Sequence, residues 1–134
     1  MTVLADTNIV IRYLIGDDVV QGAAAVLAAS QAASIGVPLL VTEAVLCESV
    51  WVLESSYLLA PHDCAEALSE MLSTGGFVAW DSDLADSALR IHAASPWLDI
   101  VDCLLASRSE DAGVTVLTFD RGLRSLLGSR AEDL

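Results

Sequence analysis

Four short apolar runs constrain this chain more than any other feature. They are Val3-Leu4-Ala5, Leu39-Leu40-Val41-Thr42, Phe77-Val78-Ala79-Trp80 and Val114-Thr115-Val116-Leu117-Thr118. Each has the length of a strand, and the stretches between them are long enough for helices. Strands that alternate with helices in this way build a parallel sheet covered on both faces, an α/β architecture. The 134 residues are most simply one domain over 1–134, large enough to bury a real core. The expected architecture is a parallel sheet of four to five strands flanked by helices. After Gly128 only Ser129 to Leu134 remain, so a fifth strand is expected to be short or missing.

Punctuation places the helices. Gly16-Asp17-Asp18 caps a helix from Val19 to about Ser34, and Gly36-Val37-Pro38 follows it. The run from Glu43 to about Leu59 is helical in length. Pro61 suits the first turn of a helix that reaches about Ser73. Asp81-Ser82-Asp83 caps a helix to about Ala94, and Asp99 opens another to about Asp111, where Gly113 stops it.

Composition sets the outer bounds. With 54% hydrophobic and 19% charged residues, and a mean hydropathy of +0.59, disorder is excluded. The low charged fraction leaves apolar surface for a partner to cover. Nineteen acids face six arginines and no lysine, for a net charge of −13. A broad basic surface for nucleic acid is therefore excluded, whereas a basic partner or divalent cations would be attracted. Cys47, Cys64 and Cys103 lie far apart, which suits buried thiols in a reducing compartment. No basic leader and no membrane-spanning run is visible, so a cytoplasmic location is expected, with no membrane partner.

The acids carry the chemistry. Asp6 follows the first apolar run and Asp120 follows the fourth. On its own, Asp6-Thr7-Asn8 reads first as a helix cap. Two acids at matching strand ends share one edge of a parallel sheet if their strands are neighbours, which is where such sheets place ligand chemistry. On the helix from Glu43, the side chains of Glu43 and Glu54 fall within roughly 20° of each other. Glu48 points some 120–140° away, among Ala44, Val45, Trp51 and Val52. A carboxylate on such a stripe needs a partner or a metal, unless it reaches solvent on its flexible stem. Asp99 is placed as a cap, and Asp102 lies in the first turn of the same helix, near its positive end.

Asp6, Glu48, Asp102 and Asp120 thus come from four elements and are expected to meet in one pocket. Hard oxygen ligands of this kind suit Mg²⁺ or Mn²⁺, and the matching chemistry is metal-assisted hydrolysis of a phosphodiester. Arg12 and Arg121 each lie beyond a pocket acid; they read as contacts to a phosphate of the substrate or as ordinary surface charge. His62 and His92 read as surface residues. Trp51, Trp80 and Trp97 read as core or interface rather than as platforms for bases.

Taken in order, Asp6-Thr7-Asn8, Glu48-Ser49-Val50-Trp51-Val52-Leu53-Glu54, Asp99-Ile100-Val101-Asp102 with Leu104-Leu105-Ala106, and Thr118-Phe119-Asp120 resemble a PIN-domain ribonuclease. Specifically, they resemble the toxin of a VapBC-type toxin–antitoxin pair. The likeness covers Asp6 to about Leu127. The resemblance implies a single-strand-specific endoribonuclease that uses Mg²⁺ or Mn²⁺, with Asp6, Glu48, Asp102 and Asp120 as metal-site acids. It gives Asn8 and Thr118 supporting roles that orient the acids or a metal-bound water, and leaves Asp99 auxiliary. It also implies a homodimer inhibited by a small antitoxin with a basic tail. Pro96-Trp97 departs from the usual lead-in to the Asp99 helix. Response-regulator receivers and haloacid-dehalogenase-type phosphatases need a lysine that this chain lacks. A catalytically inactive PIN-like binding module is the remaining alternative.

Overall fold

The computed structural model describes residues 2–133. A parallel three-stranded sheet, in the order β1-β2-β3, forms its middle layer. The strands are β1 (Val3–Leu4), β2 (Leu39–Val41) and β3 (Phe77–Ala79). Val3 pairs with Leu39, and Leu39 in turn with Phe77, so the three apolar runs lie in register. Beyond the strands, Ala5 donates to Leu40 and Trp80 to Val41, which carries the pairing to the edge where the helices begin.

Seven helices surround the sheet: α1 (Thr7–Leu14), α2 (Val19–Ile35), α3 (Glu43–Ser55), α4 (Pro61–Leu72), α5 (Ser82–Ala94), α6 (Ile100–Ala112) and α7 (Arg121–Leu127). Their starts follow the sequence. Asp18, Asp81 and Asp99 each accept a backbone N–H as N-cap, and Pro61 opens α4 where its missing N–H is harmless. Gly36 and Gly113 end α2 and α6 in the left-handed conformation, at φ 71° and 66°. The core joins Val10 and Ile11 of α1, Leu46, Val50 and Leu53 of α3, Leu68 and Met71 of α4, Phe77 of β3 and Leu89 of α5. All three cysteines are free and buried, as their scattered positions suggested.

Four expectations about the fold are corrected. The sheet has three strands, not four to five. Residues 114–118 make a single parallel bridge, Val116 with Ala131, and do not join β1. Their strand-like composition counts only on a pleated surface that is half covered, and Val114 and Leu117 stay exposed. The first run is likewise not fully buried: β1 is an edge strand with Val3 and Leu4 exposed, and only Ala5 enters the core. Helix α3 stops at Ser55, four residues before the expected Leu59, because Leu58 turns left-handed at φ 58°. The segment after Asp120, for which no helix was expected, forms α7.

Helix α2 is apolar all round. It buries Ala25, Ala29 and Ala32, and leaves Val19, Val20, Val26, Leu27 and Ile35 in solvent. The surplus of apolar surface inferred from composition is therefore real. Among the described residues, no helix is long and apolar enough to cross a membrane.

Candidate active site

Asp6 leaves β1 as the N-cap of α1. Its Oδ1 accepts the N–H of Ile9 at 3.0 Å, which occupies one carboxylate oxygen. Capping thus falls to Asp6 itself rather than to Thr7 or Asn8. An open groove of about 490 Å³ beside it is lined by Asp6, Asn8, Arg12, Glu48, Val52 and Tyr57 among others. Asp6 and Glu48, from different helices, therefore face the same space.

Glu48 reaches that groove for a reason opposite to the expected one. The core face of α3 is Leu46, Cys47, Val50 and Leu53. Ala44 and Trp51, expected to flank Glu48 on a buried stripe, are exposed, and so is Glu48. A run of apolar residues on both sides of the wheel had hidden which side faces inward.

A second group of acids gathers at the start of α6. Asp99 caps the helix, its Oδ1 accepting the Val101 N–H at 2.8 Å. Its Oδ2 accepts the indole N–H of Trp51 at 2.9 Å, which ties α3 to α6. Asp102, half-buried in the first turn, has its carboxyl pushed above the ordinary 3.8. Burial is the largest cause, followed by the negative charges of Asp120 and Asp99. Asp120 caps α7, Oδ1 accepting the Leu123 N–H at 2.7 Å, while its own N–H donates to the Thr118 hydroxyl at 3.0 Å. Thr118 thus fixes the backbone that presents Asp120.

Asp6 and Glu48 thus line one groove, and Asp102 lies within reach of the charges of Asp120 and Asp99. Among the described residues, no three His, Cys, Asp or Glu side chains converge closely enough to hold an ion together. Bare carboxylates repel one another, so a tight cluster without a cation is disfavoured. The donor set is all oxygen, which matches Mg²⁺ or Mn²⁺, and Mg²⁺ characteristically keeps several waters and takes only one or two carboxylates. The Asp102 carboxyl is raised by burial and then by Asp120 and Asp99, and among the described residues no arginine bonds to it; a divalent cation there would offset the acids' mutual repulsion.

The arginines sort cleanly. Arg12 lines the groove, but its guanidinium is engaged by Asp17 at 3.0 Å and Gln21 at 2.8 Å. Tyr57 donates to the same Asp17 at 2.7 Å, and this bond, ahead of Arg12, holds the Asp17 carboxyl below its usual value. Arg90, Arg108, Arg124 and Arg130 each pair with carboxylates. Arg121 alone has no carboxylate partner among the described residues, and it is exposed next to Asp120.

His62 lies on the surface as expected, beside Glu66. His92 does not: it is 2% exposed, with Nε2 2.6 Å from Glu54 Oε2 and Nδ1 3.0 Å from the Leu98 carbonyl. The signal was present in its spacing, four and three residues after the buried Ala88 and Leu89. Of the two roles expected for the tryptophans, core is ruled out, since Trp51, Trp80 and Trp97 are all exposed.

The PIN domain family profile matches residues 3–126, nearly the whole chain. No match was found among curated proteins. PIN domains are generally nucleases, which agrees with an acid-lined edge of a parallel α/β sheet. The chain belongs to the PIN-domain family.

Proposed function

We propose that this protein is a metal-dependent endoribonuclease that cuts single-stranded regions of RNA, acting as the toxin of a toxin–antitoxin pair. The observation that carries the proposal is the groove that Asp6 and Glu48 line together from different helices, in a PIN-family fold whose Asp102 carboxyl is raised by burial and then by Asp120 and Asp99. Asp6, Glu48, Asp102 and Asp120 would hold Mg²⁺ or Mn²⁺. A bound ion of this kind lowers the proton affinity of a water and screens the phosphate from the acids.

The chain's own groups do the rest. Asp6 and Asp120 each spend Oδ1 on a helix N-terminus, which fixes the carboxylate and leaves Oδ2 for the site. Asn8 lines the groove beside Asp6 and supplies an amide to orient water there. Arg121 supplies positive charge for the scissile strand, a role its freedom from carboxylates favours over Arg12. Attack by water without an enzyme-bound intermediate yields a 5′-phosphate and a 3′-hydroxyl.

The apolar outer face of α2 and the net charge of −13 support a homodimer and an antitoxin with a basic tail, in the cytoplasm. That no three acids among the described residues stand close enough to hold an ion favours a second reading, a catalytically inactive binding module. Incubation of single-stranded RNA with the protein and Mn²⁺ separates the two. Cleavage that EDTA abolishes supports the nuclease; binding of RNA with no cleavage supports the module.

A further inference from the structure

Phe119 is 89% exposed, Trp97 69% and Trp51 47%. Large rings left in water contribute little to a fold, and all three stand next to the acids of the candidate site. Phe119 precedes Asp120, and the Trp51 indole N–H is held by Asp99. Trp97 is placed by Gly122 in the first turn of α7. A side-chain carbon at Gly122 would meet the Trp97 ring at 3.1 Å and Asp120 Oδ1 at 3.3 Å. The missing side chain therefore lets the indole lie against α7 beside the carboxylate. Phe119 and Arg121 line a common groove of about 460 Å³ with Thr118, Arg124 and Asp133, and the Asp133 carboxylate pairs with Arg124. In that groove an exposed ring adjoins the one arginine with no carboxylate partner among the described residues.

From this arrangement we infer that Trp97 and Phe119 are stacking platforms for unpaired nucleobases, with Arg121 taking the adjoining phosphate. A flat apolar face beside a free guanidinium matches a nucleotide, whose base presents a π-face and whose phosphate presents a charge. Bases in a duplex are already stacked on each other, so the platforms select single strands. Stacking accepts every base, so this contact adds affinity without fixing a sequence. The inference rests on the ribonuclease reading for its substrate, and it assigns residues that the carboxylate chemistry leaves unused.

The test is binding, not cleavage. The full-length protein, with Ca²⁺ in place of Mg²⁺, is titrated with a single-stranded RNA of mixed sequence shown intact on a gel after titration, an abasic strand of equal length, and the same RNA as a duplex. Tryptophan fluorescence is followed. The single strand should quench it, and Trp97→Ala or Phe119→Ala should each weaken binding about tenfold. Trp97→Phe should restore most of the affinity, and the alanine variants should leave the weak binding of the abasic strand unchanged. Equal affinity for the abasic strand, no binding of the single strand, or alanine variants that bind like the parent would overturn the inference. So would variants that change the sedimenting mass of the protein and not its affinity for RNA, since the rings would then be a protein contact. Because binding is read on intact RNA, base-dependent binding by a protein that cleaves nothing would sink the nuclease and leave the platforms standing.

Discussion

His92 Nε2 and Glu54 Oε2 lie 2.6 Å apart, and the pair joins α5 to α3 under the loop that leads into α6. The Leu98 carbonyl only accepts, so His92 Nδ1 carries a hydrogen. Nε2 then faces the Glu54 carboxylate. Glu54→Ala strands a buried imidazole nitrogen and should lower stability by about 1–3 kcal/mol in urea unfolding. Glu54→Gln, whose amide can donate to Nε2, should recover most of that loss. Equal losses in both variants would show that the hydrogen bond is not what stabilises this junction.

Asp102 makes the fold sensitive to pH. Its carboxyl binds a proton more tightly in the folded protein than at the ordinary 3.8, because of burial and of Asp120 and Asp99. Such a group loses stability as pH rises from 3.8 through its raised value, and the penalty persists at neutral pH. Asp102→Asn should therefore have a higher Tm than the parent at pH 7 in EDTA. Mg²⁺ should raise the Tm of the parent and not of the variant. A parent that gains nothing from Mg²⁺ would leave the site without a metal.

Much of this organisation can be read from residues alone, and the misses share physical causes. Caps and stops were legible because Asp18, Asp81, Asp99, Pro61, Gly36 and Gly113 act on their own backbone within a turn. Three of the four apolar runs became strands. The fourth, at 114–118, depended on a neighbour it does not have, and pairing is a tertiary property. Helix faces were the other failure. In α3 apolar residues surround the axis, so periodicity could not tell that Leu46, Cys47, Val50 and Leu53 point inward and Glu48 outward. The burial of His92 is written in its spacing from Ala88 and Leu89, but its partner, Glu54, lies 38 residues away and is not.

Leu58 is the described residue other than glycine that adopts a positive φ, at 58°. It ends α3 where glycine is usual, with the Leu59 N–H donating to the Leu53 carbonyl at 3.0 Å. Its side chain is exposed, so little packing is at stake. Leu58→Gly should raise stability by about 1 kcal/mol, the usual strain of a left-handed residue with a side chain. A lower Tm would mean that the leucine side chain contributes more than the strain removes.

Gly76 is irreplaceable for a different reason. A side-chain carbon there would sit 2.7 Å from the Ala29 carbonyl oxygen and 3.0 Å from its Cβ. The obstruction is helix backbone, which cannot rotate away. Gly76→Ala should therefore force α2 off the sheet and lower stability by about 1–3 kcal/mol, measured by thermal unfolding.

Ser49 Oγ is fully buried in α3 with no hydrogen-bond partner among the described residues. Removing an orphaned hydroxyl relieves its desolvation, so Ser49→Ala should be neutral or stabilising by about 1 kcal/mol. Marked destabilisation would reveal a partner for that hydroxyl.

Asp6 decides the central claim. Its Oδ1 caps α1, and Asp6→Asn keeps an oxygen for that bond while removing the charge, so the fold should survive, as circular dichroism would show. Single-stranded RNA is incubated with each protein in Mn²⁺, with and without EDTA, and the ends of the fragments are identified. The parent should cut to 5′-phosphate and 3′-hydroxyl ends only when metal is present, and Asp6→Asn should fall to background. Cleavage that persists both in EDTA and in the folded Asp6→Asn protein would contradict a carboxylate-held metal as the source of the chemistry.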